Sequence, residues 1–136
     1  MFSCPCSLPI SFASHTWWVT NNKGKLNRWE VLFRKSACKT SWTHLHKNCI
    51  HPFKGLEIFW AYSKYLWKPN LLKIIEGKKA KLIIRSIENS PKKYPFNVKY
   101  NLLGPNSNTF IQWIINKFPE SGFKLPWNAI GKKYKF

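Results

Sequence analysis

Acidic residues are the scarcest chemistry-bearing side chains in this sequence. The chain has no Asp and only five Glu among 136 residues. A glycosidase needs two carboxyl groups close together across a cleft, and Mg²⁺-dependent phosphate enzymes need carboxylates to hold the metal. Both classes are therefore disfavoured. The sequence also lacks a P-loop, a dinucleotide-binding glycine pattern and a G-x-S-x-G motif, and we expect no cofactor.

Arginine and long apolar runs are scarce as well. Only three of the 23 basic residues are Arg, although the net charge is +18. Such a charge favours attraction to phosphate, on nucleic acid or an anionic membrane surface. Base-specific readers depend on the bidentate Arg fork, and here Lys is spread over nearly every segment. The expected anionic contacts are therefore non-specific.

No apolar run approaches the roughly 20 residues of a membrane-spanning helix. Residues 1–10 lack the basic region of a secretory signal and start abruptly, which leaves room for an upstream leader. The compartment is left open: cytoplasmic, or membrane-associated if a leader is missing. Partners are an unidentified small-molecule or peptide substrate and non-specific anions.

The composition predicts one α+β domain over residues 1–136. Hydrophobic residues make up 44%, including eight Trp, ten Phe and five Tyr, which suits a packed sheet. We predict an antiparallel sheet of four or five strands with two helices packed on one face. Residues 1–9 are predicted to be disordered or a truncated leader, and residues 122–136 an irregular strap that packs back on the body.

The strands are predicted from alternating polarity at residues 10–21, 26–35, 41–49 and 56–62. Residues 71–76 are either a short strand or a first helical turn. The first two strands form a hairpin around residues 21–24. A two-residue loop at Lys23-Gly24 places His15 and Glu30 on the same face, whereas a three-residue loop moves Glu30 to the other face. Both registers fit the sequence.

Two helices are predicted in the second half of the chain. The first begins at Gly77, with Ala80, Ile83, Ile84 and Ile87 on one face, and ends at residues 89–91. The second covers residues 107–118 and ends before Pro119. Its apolar face consists of Phe110, Ile111, Ile114, Ile115 and Phe118.

The run Gly104-Pro105-Asn106-Ser107-Asn108-Thr109-Phe110 opens the second helix and contains the main candidate site. Ser107 is either a nucleophile at the positive end of the helix or an N-cap that bonds the Phe110 N–H. His15 on the first strand is either its general base, oriented by Glu30, or an ordinary strand histidine. Asn106, Asn108, Thr109 and Trp17 are the candidate ligand-binding residues.

The remaining candidates are weaker. His44, His46, Cys49 and His51 offer four zinc ligands within eight residues, but their spacing matches no zinc template and Lys47 lies among them. We therefore predict no metal site. Cys4-Pro5-Cys6 is either a strained redox pair or a lipidation site. The interpretation we favour is that all four cysteines remain thiols.

Several of these residues also carry a resemblance. His15-Thr16-Trp17, the segment 28–31, the run 104–110 and the segment 125–132 resemble, in that order, an uncharacterised bacterial family, domain of unknown function 3750. A more distant resemblance is to the circularly permuted papain-like hydrolases, of the NlpC/P60 and lecithin retinol acyltransferase kind. That resemblance implies a histidine on an early strand and a later nucleophile at a helix start, with Ser107 where those enzymes have Cys.

Three functions follow for a cleft formed by His15, Glu30 and residues 106–109. As an enzyme, it performs acyl transfer or hydrolyses amides or esters, with Ser107 as nucleophile and the N–H groups of the helix start as oxyanion donors; this activity is either retained or degenerate. As a binding module, it holds an anionic ligand. As a scaffold, the motif only locks the fold.

Overall fold

The computed structural model describes residues 1–60 and 64–135 of the chain. They form an α+β fold, as predicted, with one antiparallel sheet and helices beside it. In the described residues the sheet has six strands in the order β4-β5-β3-β2-β1-β6. The strands are β1 (Phe2–Pro5), β2 (Ser14–Asn22), β3 (Lys25–Val31), β4 (Ser41–Trp42), β5 (Leu45–Lys47) and β6 (Asn70–Leu71). The helices are α1 (Gly77–Glu88), α2 (Ser90–Lys93) and α3 (Ser107–Lys117), followed by a 3₁₀ turn (Pro119–Ser121).

The β2–β3 hairpin has the two-residue loop of the two predicted registers. Asn22 pairs with Lys25 and Trp18 with Trp29. Lys23 and Gly24 both have positive φ, 52° and 83°, as the tightest hairpin turns require. This register places the side chains of Trp17 and Glu30 opposite each other, so Glu30 lies on the same face as His15.

The two faces of this hairpin differ in chemistry. Trp18, Trp29 and Val31 face the helices and join the apolar core with Phe110 and Ile114 of α3. The opposite face carries a buried set of polar and aromatic residues under the segment 51–56: Cys4, His15, Trp17, Arg28 and Glu30. Both faces of the hairpin are therefore buried, one by helices and one by a loop segment.

Both predicted helices are confirmed. Ile83 and Ile87 are the buried residues of α1, and Asn89 ends it. In α3 the predicted apolar positions are buried apart from Phe118, which is half-buried. Trp113, which the sequence pattern did not assign to the core, is buried too. None of the helices in the described ranges is long and apolar enough to cross a membrane.

The strand boundaries need correction. Residues 1–9 were expected to be disordered or a leader, but Phe2–Pro5 pairs with β2 on one side and β6 on the other. The first strand begins at residue 14 instead of 10, and the second ends at residue 31 instead of 35. The single strand predicted over residues 41–49 is instead the short hairpin of β4 and β5, because Thr43 turns the chain with φ of 60°.

The fourth predicted strand, at residues 56–62, is only partly testable. Glu57 and Phe59 each form an isolated β-bridge, and neither bridge extends into a ladder. Residues 61 and 62 lie outside the described part of the chain. Of the alternatives for residues 71–76, the structure has a two-residue strand at Asn70–Leu71 before α1.

The expectation that all four cysteines remain thiols is wrong for one pair. Cys38 and Cys49 form a disulfide, with their Cα atoms 5.5 Å apart. The β4–β5 hairpin brings these two residues together, although eleven positions separate them. Cys4 and Cys6 are free thiols.

Candidate functional site

The start of α3 is capped by Asn106, not by Ser107. The Asn106 Oδ1 accepts from the backbone N–H groups of Asn108 at 3.0 Å and Thr109 at 3.2 Å. In return, the Asn106 N–H donates to the Thr109 Oγ1 at 3.2 Å. This reciprocal pair is a capping box. The amide side chain therefore occupies the position where the helix start would otherwise hold an anion.

The same polar side chains fasten the C-terminal segment 122–135 to the sheet. The Asn108 amide nitrogen donates to the carbonyls of Ser14 and Ile130, both at 2.8 Å, and its oxygen accepts from the Thr16 hydroxyl at 2.7 Å. The Thr109 hydroxyl donates to the Gly131 carbonyl at 2.9 Å. Asn108 thus joins α3, β2 and the C-terminal segment.

Gly131 is where the C-terminal segment comes closest to the cap. Its φ is +90°, and a Cβ atom built there would lie 2.5 Å from the Asn106 amide nitrogen. Only glycine fits such a position without moving the cap. The residues predicted to bind a ligand at the helix start, Asn106, Asn108 and Thr109, are all buried. Their side-chain polar atoms are used in these internal bonds.

Ser107 differs from its neighbours. It is the first residue of α3 and is buried. Its hydroxyl makes no hydrogen bond to any described residue, but it is not one of the fully enclosed, unpartnered polar atoms of that part of the chain. The oxygen therefore keeps some contact with solvent, while its neighbours perform the capping.

On the other face of the sheet, His15 and Glu30 meet, as in one of the two registers that the sequence left open. The His15 Nε2 lies 2.8 Å from the Glu30 Oε2. Arg28 completes the cluster, because its Nη2 donates to the same oxygen at 2.7 Å and its Nε lies 2.6 Å from the other. The Arg28 guanidinium also stacks 4.1 Å from the ring of Trp17 and donates to the carbonyls of His51 and Lys54.

The cluster is buried, and its charges compensate each other. Burial alone would raise the pKa of the Glu30 carboxyl, but the hydrogen bond with His15 and the charge of Arg28 outweigh it and hold the pKa below its ordinary value. Glu30 therefore stays ionised. Trp17, a predicted ligand-binding residue, is fully buried, and its indole nitrogen donates to the Pro52 carbonyl at 3.0 Å.

The predicted convergence of His15 and Ser107 is not found. Ser14 and Thr16, on either side of His15, both bond Asn108 of α3. Successive side chains of a strand point to opposite faces, so the imidazole of His15 points away from α3. Among the described residues its polar partner is Glu30. The contact on which a serine–histidine dyad depends is therefore absent.

Cys4 lies directly opposite His15 on β1. Burial raises the pKa of the Cys4 thiol to about 12, although a hydrogen bond from the Leu56 N–H and the charge of Arg28 oppose the shift. Burial likewise raises the pKa of Cys6 to about 11. Neutral, buried thiols are poor nucleophiles and poor metal ligands.

The weak zinc candidates have other partners. The His44 Nδ1 lies 2.9 Å from the Leu32 carbonyl oxygen, and the His46 Nε2 lies 2.9 Å from that of Arg34. Cys49 is in the disulfide, and the His51 Nδ1 accepts from the Phe53 N–H. No group of three potential metal ligands comes together in the described residues.

The sequence reasoning missed a cavity of about 740 Å³ beside the β4–β5 hairpin. The backbone N–H of His44 donates to the Asn97 carbonyl at 3.0 Å, which holds the segment 97–101 against the turn between β4 and β5. The basic side chains that line the cavity are Arg34, Lys35 and Lys99, and the rings are those of Phe33, His44, Tyr100 and Tyr134. Among the described lining residues none is acidic.

The rings of the cavity pack against one another. The Tyr100 ring lies 5.5 Å from those of both Phe33 and His44. Burial raises the pKa of Tyr100 to about 12, so its phenol is a neutral group at physiological pH. Gly104 and Pro105 form another part of the wall and connect it to the start of α3. The sequence signal for this cavity is weak, because Phe33-Arg34-Lys35 and Lys99-Tyr100 are far apart in the chain.

Comparison with protein families gives one assignment. The model of a family described as "Protein of unknown function (DUF3750)" matches residues 6–134. The chain belongs to this family. Searches of curated proteins and of solved structures found no significant match. No finding supports the more distant resemblance to the permuted papain-like hydrolases, which stays a prediction.

Proposed function

We propose that this protein is a binding module for an anionic small molecule with an aromatic or apolar part. The observation that carries the proposal is the cavity of about 740 Å³ that combines three basic side chains with four rings and has no carboxylate among its described lining residues. Ligand sites of this size are usually lined by rings, with a few polar groups that fix orientation. We place the ligand site at this cavity and not at the start of α3, because the Asn106 amide already satisfies the N–H groups there.

The chemistry of the lining supports this ligand class. Arg34 offers a planar fork that pairs with carboxylate or phosphate, and Lys35 and Lys99 add point charges. The Phe33 and Tyr100 rings, 5.5 Å apart, offer apolar surface to a flat ligand group. Arg34 and Lys99 are exposed, so solvent weakens each pairing. Both the charge and the ring of the ligand are therefore needed.

The test uses phenyl phosphate as the probe and isothermal titration calorimetry as the measurement. The expected result is that phenyl phosphate binds more tightly than inorganic phosphate, which has no ring, and benzyl alcohol, which has no charge. Arg34→Gln/Lys99→Gln is expected to weaken phenyl phosphate binding about tenfold or more, since charge-assisted hydrogen bonds are lost.

The matched control is Lys78→Gln/Lys81→Gln, which removes the same charge from exposed positions of α1. This variant is expected to bind phenyl phosphate as wild type does. Equal weakening in both double variants would mean that the net charge of +18 attracts anions without a site, and the proposal would fail.

A second candidate function is serine-based acyl transfer or hydrolysis at Ser107. Because His15, the expected base, does not reach Ser107, this activity would be degenerate. The observation that favours it is the Ser107 hydroxyl at the start of α3, which bonds to no described residue and is not fully enclosed. Against it stands the orientation of His15 towards Glu30, because serine needs an adjacent base to become a nucleophile. We rank this function below binding.

Labelling with a serine-directed fluorophosphonate separates the two functions. We expect no labelling that depends on Ser107, so wild type and Ser107→Ala should give equal signals in a gel-based fluorescence assay. The phenyl phosphate titration is run on the same two proteins as a control for folding. Labelling of the wild type that disappears in Ser107→Ala would establish a reactive serine and reverse the ranking.

A further inference from the structure

Three adjoining loops expose large apolar side chains to solvent. Phe12 is 66% exposed, Leu103 is 73% exposed and Trp127 is 89% exposed. Single exposed apolar residues are common on protein surfaces and need no explanation. Three of them on adjoining loops, one an almost fully exposed tryptophan, are less ordinary. We call the loop residues 8–13, 101–104 and 124–135 the apolar rim.

Hydrogen bonds hold these loops together. The Asn128 amide nitrogen donates to the Phe12 carbonyl at 2.9 Å. The Asn106 amide nitrogen donates to the carbonyls of both Leu102, at 2.8 Å, and Ile130, at 3.1 Å. The loop that carries Phe12 and the loop that carries Leu103 therefore both lie against the C-terminal segment that carries Trp127.

The charged side chains of the apolar rim are all positive. The C-terminal segment contributes four lysines in twelve residues: Lys124, Lys132, Lys133 and Lys135. The Lys132 ammonium donates to the carbonyls of Pro126 and Trp127, at 2.6 and 3.1 Å, next to the exposed indole. All five Glu of the chain lie outside the three loops. The rim therefore combines apolar side chains with an uncompensated positive charge.

We infer that the apolar rim docks on an anionic lipid bilayer surface. Tryptophan favours the interface between headgroups and acyl chains, and Leu and Phe gain by insertion into it. Each lysine near an anionic leaflet adds electrostatic attraction that depends on salt. Neither contribution alone gives firm attachment, and the rim supplies both.

A bilayer fits these side chains better than nucleic acid does. An aliphatic side chain such as Leu103 gains nothing from phosphate contacts, and recognition of base edges relies on Arg, which the rim lacks. The rim and the proposed ligand cavity share Asn101, Gly104 and Tyr134, but neither Leu103 nor Trp127, the side chains on which the inference rests, lines the cavity.

The test is co-sedimentation of the whole chain with vesicles of phosphatidylcholine, with or without phosphatidylglycerol. We expect sedimentation only with phosphatidylglycerol, and release at high salt because the attraction is screened. Leu103→Ser/Trp127→Ser is expected to weaken vesicle binding about tenfold or more, since burial of an indole and an aliphatic side chain is lost.

The matched control is Ile74→Ser/Leu82→Ser, which removes two exposed apolar side chains, 65% and 54% exposed, away from the rim. It is expected to bind vesicles as wild type does, and circular dichroism is used to check that both double variants are folded. Equal vesicle binding by the two double variants, or no dependence on phosphatidylglycerol, overturns the inference. Salt-sensitive binding to random duplex DNA without vesicle binding overturns it as well.

Discussion

Glu30→Gln is expected to lower the free energy of unfolding by about 3–5 kcal/mol at pH 7, because it leaves a buried cation without its partner. Arg28 and Glu30 are both essentially inaccessible to solvent, and two nitrogens of the guanidinium contact the carboxylate at 2.6 and 2.7 Å. Glutamine keeps the shape of the side chain but removes the charge. Urea denaturation followed by tryptophan fluorescence measures the loss.

Two further variants separate this interaction from general effects. Glu88→Gln removes a carboxylate from an exposed position of α1 and is expected to change stability by less than about 0.5 kcal/mol. Arg28→Met/Glu30→Met removes both charges, and is expected to recover part of the loss because no unpaired ion remains. A Glu30→Gln protein as stable as wild type would contradict a compensated buried pair.

The pH dependence provides an independent check on the same carboxyl group. The pKa of Glu30 is lowered in the folded protein from its ordinary value of 4.5, so the unfolded chain takes up this proton first as the pH falls. The stabilisation by the Glu30 carboxylate is therefore complete above about pH 4.5, and it is lost as the pH falls through the lower pKa of the folded protein. The difference in stability between wild type and Glu30→Gln should narrow over that acidic range.

The elements that local sequence determines were predictable. The turn at residues 21–24 was expected, and Lys23 and Gly24 both adopt positive φ there, although the sequence left two registers of the hairpin open. The i, i+3, i+4, i+7 spacing from Ala80 to Ile87 likewise identified α1. The contact between His15 and Glu30 depends on the hairpin register, so it was one of two outcomes that the sequence left open.

The relation of His15 to α3 could not be derived in the same way. Alternation along a strand shows which side chains share a face, but it identifies the core face only where the other face is polar and exposed. Residues 14–18 of β2 are all buried, on both faces. The pattern therefore did not reveal that α3 covers the face of Thr16 while the segment 51–56 covers that of His15.

The remaining surprises depend on long-range contacts. The strand at Phe2–Pro5 pairs with β2 and β6, residues far apart in the chain, and its Cys-Pro-Cys composition gave no strand signal. The cavity forms only when the segment 97–101 docks on the turn between β4 and β5. Phe33-Arg34-Lys35 and Lys99-Tyr100 are far apart in the chain, and only the fold brings them together.

Asn106→Ala is expected to lower the free energy of unfolding by about 2–4 kcal/mol. The substitution removes the acceptor for the N–H groups of Asn108 and Thr109, and the donor to the carbonyls of Leu102 and Ile130. A lost cap costs about 1 kcal/mol, and a buried polar group left without a partner costs about 1–3 kcal/mol. The Leu102 carbonyl loses this donor, whereas the Ile130 carbonyl still accepts from Asn108. Chemical denaturation monitored by far-ultraviolet circular dichroism measures the change.

Asn106→Asp and Ser107→Ala divide this effect into its parts. Aspartate still caps the helix and suits its positive end, but its second oxygen faces the Leu102 and Ile130 carbonyl oxygens without a proton to donate, so its cost measures the loss of these two bonds together with the repulsion between the oxygens. Ser107→Ala is expected to cost less than about 1 kcal/mol, because the hydroxyl makes no hydrogen bond to the described residues. A loss at Ser107 as large as that at Asn106 would show that the serine, and not the asparagine, holds the start of α3.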